Sequence, residues 1–83
     1  MGWRERININ PKVCGGRACI KGTRVMVSVI LDNLAEGESY ESIMQGYHVT
    51  REDVQAAIAF AADLAADRLV NLEQGVPDVI QAR

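Results

Sequence analysis

Apolar side chains recur along most of this chain with the spacing of a helix, and only near its start do they alternate. Ile7-Asn8-Ile9-Asn10 steps between apolar and polar with period two before Pro11 closes the run, which predicts a short edge strand. A second extended piece is expected at Ala18-Cys19-Ile20-Lys21. Gly15-Gly16 supplies a flexible turn between the two, and Gly22 with Thr23 bends the chain before the first helix. Together these make a small β-hairpin or arm.

From there the period changes. Val27, Ile30, Leu31, Leu34 and Ala35 fall at i, i+3, i+4, i+7 and i+8, predicting a helix from about Met26 to Glu36 that stops at Gly37. Tyr40, Ile43, Met44 and Tyr47 repeat that face in a second, short helix, with Ser39 placed to cap it and Gly46 near its end. Thr50-Arg51-Glu52-Asp53 then carries a Thr-x-x-Asp signature, whose hydroxyl can reach the amide of Asp53 at a helix start. The apolar positions Val54, Ala57, Ile58, Ala61, Ala65, Leu69 and Leu72 continue this third helix to Gly75, about 24 residues or 36 Å. Phe60 and Leu64 widen its apolar stripe beyond what two short partner helices can cover, so a second copy or a partner protein is the expected cover.

The predicted fold is therefore mainly α: a three-helix bundle with a short N-terminal β arm and a long third helix. It divides into an arm over 1–25, a trihelical part over 26–75 and a tail over 76–83, all within one structural domain. Eighty-three residues with 48% apolar content suit a single domain near the lower size limit, where oligomerisation adds burial. Seven alanines between Ala56 and Ala66 imply closely packed helices.

Charge sharpens this picture. Residues 1–25 hold six basic side chains (Arg4, Arg6, Lys12, Arg17, Lys21, Arg24) against Glu5, for +5, while residues 26–83 hold three basic and ten acidic ones, for −7. A polyanionic partner should meet the arm. No apolar run reaches the roughly 20 residues that span a bilayer, and the charged start lacks a following hydrophobic stretch, so a cytoplasmic protein is expected. The two cysteines, Cys14 and Cys19, are too few and too local for a secreted disulfide framework, and reduced thiols are the expectation.

Catalysis finds little support, because the single histidine, His48, stands alone in an inter-helix turn with no nucleophile set against it. Cys14-x4-Cys19 lacks the tight spacing and the further ligands of a structural zinc site, so no metal is predicted. Gly15-Gly16-Arg17 lacks the Lys-Ser/Thr ending of a nucleotide-binding loop, and no cofactor is predicted either. Three short-linked helices, with a four-to-five-residue turn before the third, match a helix-turn-helix arrangement. Residues 51–74 carry Arg51 and Arg68 against Glu52, Asp53, Asp63, Asp67 and Glu73, net −3, which phosphates would repel along most of that helix. Contacts to DNA are then expected from Arg17, Lys21 and Arg24 in the arm, with only Arg51 and Gln55 near bases. Phe60, Leu64, Val79 and Ile80 are the expected interface residues.

The run from Asn10 to Val25 (Asn-Pro-Lys-Val-Cys-Gly-Gly-Arg-Ala-Cys-Ile-Lys-Gly-Thr-Arg-Val), followed by Val27, Ile30, Gly37, Ser39, Tyr47 and Thr50-Arg51-Glu52-Asp53-Val54, resembles the prokaryotic domain-of-unknown-function 433 family. The likeness covers about residues 7–66, and its Gly-Gly-x-x-x-Ile-x-Gly-Thr-Arg core is the most specific part. The chain departs from the family pattern at Ala18, where proline is common, and at His48, which follows Tyr47 in place of proline in a turn one residue shorter. The resemblance implies a homeodomain-like helix-turn-helix fold and an antitoxin-like protein encoded beside a small PIN-like nuclease, with no catalytic residues to carry over. The leading expectation is thus a dimeric, antitoxin-like regulator that binds operator DNA. Its rival is a protein-binding module that masks the nuclease without touching DNA.

Overall fold

The computed structural model describes residues 2–66. Two short strands and three helices follow in order: β1 (Ile7–Asn8), β2 (Cys19–Ile20), α1 (Val27–Ala35), α2 (Tyr40–Tyr47) and α3 (Arg51–Ala65). The first strand is shorter than the alternation through Asn10 suggests. Only Ile7 and Asn8 pair, with Ile20 and Cys19 in an antiparallel register, and Ile9 is left exposed.

The helix ends are written in local hydrogen bonds. At the end of α1, Gly37 adopts φ 92°, its N–H bonding Leu34 O at 3.0 Å while that of Glu38 reaches Asn33 O at 3.0 Å. This double closure uses carbonyls the last turn leaves unpaired, and it requires a left-handed residue, for which glycine costs least. Ser39 caps α2 by accepting the Ser42 N–H at 3.0 Å. Thr50 and Asp53 form a reciprocal box at the head of α3: the Thr50 hydroxyl accepts the Asp53 N–H at 3.1 Å, and the Asp53 carboxylate accepts the Thr50 N–H at 3.0 Å.

Between α2 and α3 the turn holds three residues, His48, Val49 and Thr50, rather than the four or five expected from the helix-turn-helix comparison. His48 makes this possible by taking φ 58° immediately after the helix, which lets the Val49 N–H bond Met44 O at 3.2 Å and drops the Val49 side chain into the core. Histidine is among the few non-glycine residues enriched in that conformation.

Ile20, Ile30, Ile43, Val54 and Cys19 are the largest fully buried side chains and mark the centre, where β2 packs on α1 and the three helices pack on one another. Ala56 and Ala57 are also fully buried, and their small size lets α1 and α2 both press close to α3. Asn33 ties α1 to α2 by donating to Val29 O at 2.8 Å and to the Tyr47 hydroxyl at 3.1 Å.

The N-terminal arm is not a loose extension. Trp3 is buried, meets the Phe60 ring edge-on with centroids 4.8 Å apart, and donates its indole N–H to Asp63 at 2.6 Å. Arg6 donates to Asp53 at 3.1 Å. The arm therefore runs along α3, fastened at two carboxylates ten residues, about 15 Å, apart on that helix.

Candidate polyanion and partner surfaces

The arm cations are aimed by the turns that carry them. Lys21 and Gly22 occupy the centre of a turn closed by the Thr23 N–H on Ile20 O at 3.0 Å, with Gly22 at φ 78°. Thr23 reinforces the bend, its hydroxyl donating to Ile20 O at 2.7 Å and accepting the Val25 N–H at 3.0 Å. The Ile-x-Gly-Thr-Arg pattern thus has a physical reading: a core anchor, a positive-φ corner, a hydroxyl tie, and a cation thrown outward. Lys21 and Arg24 are both exposed.

Arg17 and Arg24 come together in the wall of an open pocket of about 440 Å³, shared with Cys14, Gly15 and Met26. Neither arginine, nor Lys21, makes an ion pair among the described residues. Arg17 also stands at the rim of a neighbouring groove of about 430 Å³ lined by Ala18, Val27, Leu31, Phe60 and Leu64. Leu64 is 45% exposed there, whereas Phe60 has one side against Trp3. The expected DNA residue Arg17 and the expected interface residues Phe60 and Leu64 therefore border one surface.

Arg51 and Gln55 lie elsewhere. Gln55 and Leu64 are nine positions apart on α3, about 180° around a helix at 100° per residue, so the two predicted DNA sets face opposite sides. Gln55 shares a shallow pocket of about 340 Å³ with Tyr40, Ile58 and Ala59. Arg51 bonds Glu41 of α2 at 2.6 Å and stacks over the Tyr40 ring at 5.1 Å. The Glu41 carboxyl sits below its ordinary range because its own backbone N–H and then the Arg51 guanidinium favour the ionised form. Over its described length α3 has Arg51 against Glu52, Asp53 and Asp63, net −2.

Two features had no strong sequence signal. Ile58, 38% exposed beside Gln55, is an ordinary stripe residue by periodicity, and Trp3 reveals its role only through a partner sixty residues away. Val79 and Ile80 lie outside the described residues. No cluster of three or more metal-binding side chains occurs among the described residues, and no helix among them is long and apolar enough to cross a membrane.

The family described as "Protein of unknown function (DUF433)" matches residues 7–61, or 55 of the 83 positions, and the chain belongs to that family. No curated protein and no solved structure matches it.

Proposed function

We propose, taking this family membership as the premise, that the protein is an antitoxin-like regulator whose basic arm binds operator DNA through its phosphates. The supporting observation is the division of the cations: Arg6 and Arg51 are each paired with a carboxylate, whereas Arg17, Lys21 and Arg24 make no ion pair among the described residues. Unpaired guanidinium and ammonium groups release counterions when they meet phosphate, which gives affinity with little sequence discrimination. The acidic α3 does not enter the groove along its length in this reading. The apolar groove at Phe60 and Leu64 receives a second copy or the cognate PIN-like nuclease.

Fluorescence anisotropy with the duplex upstream of the protein's own reading frame tests the proposal. Three phosphate contacts per chain predict a salt slope of about −2.7, a loss of roughly fortyfold between about 50 and 200 mM salt. Arg24→Ala should lower that slope by about one. Absence of binding at low salt would end the DNA reading.

A second reading has its own support. The Arg51–Glu41 pair neutralises the cation nearest the expected base-reading position, and exposed Ile58 sits beside Gln55, which suits a protein partner better than a base edge. In that case the product of the neighbouring reading frame co-purifies with the protein, and Ile58→Asp or Leu64→Asp abolishes the capture while DNA is never bound.

A further inference from the structure

The two cysteines take no part in either functional reading, yet they are placed together. Cys14 opens a 3-10 turn over Cys14–Gly16, half-buried and held at φ 53°, in the wall of the pocket it shares with Arg17, Arg24 and Met26. Cys19 lies beneath, fully buried in β2 and bridged across the backbone to that same Met26. Both thiols thus lie beside Met26, near enough to influence each other, and the Cys19 thiol also donates toward Thr23 O at 3.8 Å. Gly15 and Gly16, both at positive φ, form the turn that folds one cysteine over the other.

We propose that Cys14 and Cys19 are a reversible modification site, in which hydrogen peroxide entering the Arg17–Arg24 pocket oxidises Cys14 and Cys19 then closes an intramolecular disulfide. This goes beyond the DNA reading and does not depend on it. Exposure sets the order of events. Cys14 borders the pocket, whereas burial, with the neighbouring Cys14 thiol adding to it, pushes the Cys19 thiol up to about 11 and keeps it protonated at neutral pH. The Cys14 thiolate attacks one peroxide oxygen, the O–O bond breaks, and the sulfur becomes a sulfenic acid while the departing hydroxide takes a proton to leave as water. The guanidinium groups of Arg17 and Arg24 line the pocket in which that negative charge develops. The Cys19 sulfur then attacks the Cys14 sulfur, the S–O bond breaks, and the hydroxyl leaves with the Cys19 proton as a second water. Two thiols and one peroxide have become one disulfide and two waters.

The test treats the folded full-length protein with hydrogen peroxide and follows thiol titre, intact mass and migration on a non-reducing gel. Both thiols should disappear together, the monomer should become lighter by two hydrogen atoms, and dithiothreitol should restore it. Cys14→Ser should slow the loss of the remaining thiol by at least about tenfold. In Cys19→Ala and Cys19→Ser, run side by side because the position is so tightly packed, Cys14 should accumulate as a sulfenic acid that dimedone traps. Oxygen gained at Cys14 in the wild type without a disulfide, a disulfide-linked dimer as the main product, or two thiols that survive treatment would each overturn the proposal; the wild-type readout needs no variant to fold.

Discussion

Arg6 and Arg24 are eighteen positions apart in the same basic arm, and they do opposite things. Arg6 turns inward to the carboxylate that also caps α3, so its charge is part of the fold. Arg24 follows a tight turn whose hydroxyl tie sends it outward, into a pocket wall with Arg17. Net charge, read by segment, counts the two alike. What separates them is whether a carboxylate is fixed within reach by another element, and only tertiary structure supplies that. The same contrast holds between Arg24 and Arg51, which α2 neutralises through Glu41.

This contrast can be broken most severely at Trp3. Trp3→Ala removes a buried ring packed on Phe60 and the donor to Asp63, and should cost about 3–5 kcal/mol, measured as a lower urea midpoint. A cost under about 1 kcal/mol would mean the arm is not held by its anchor. Asp53→Ala comes next, at about 2 kcal/mol, because it loses both the reciprocal cap with Thr50 and the partner of Arg6. Arg24→Ala should leave the midpoint within about 0.5 kcal/mol of wild type while weakening DNA binding, the outcome that most sharply divides an outward cation from an inward one. A comparable loss of stability in Arg24→Ala would erase the distinction.

Smaller effects refine the picture. His48→Gly should stabilise by about 0.5 kcal/mol, seen as a small rise in Tm, since glycine takes the left-handed corner without the Cβ clash. The Arg51–Glu41 pair should be the weakest. Because the Glu41 carboxyl is lowered in the folded state, any stabilisation it gives is present at neutral pH and lost as pH falls through its folded value; Glu41→Gln should remove that small acid dependence and otherwise change little.

What the sequence made legible follows from distance along the chain. The caps at Ser39 and Thr50 and the stop at Gly37 each involve residues within a few positions, and periodicity brought out α1, α2 and the start of α3 with boundaries off by about one residue, whereas α3 ends at Ala65, ten positions before the Gly75 that its apolar spacing suggests. Membership of the family and the mainly α, three-helix architecture with an N-terminal hairpin were also readable, from the Gly-Gly and Gly-Thr-Arg turns. Hidden were the features made by distant partners or by unusual backbone. Trp3 with Asp63, Arg6 with Asp53 and Arg51 with Glu41 pair residues sixty, forty-seven and ten positions apart. Cys14 and His48 adopt left-handed conformations that residue type alone does not announce. The expected DNA set looked like one surface in sequence, yet the helical period separates Arg51 and Gln55 from Arg17 once Leu64 is seen beside the latter.

Fastening the first residues to Asp53 and Asp63 has a consequence for synthesis. A nascent chain is made from its amino end, so Trp3 and Arg6 are added before the carboxylates that hold them. Docking of the arm must then be a late event, completed only after both Asp53 and Asp63 have been added to the chain.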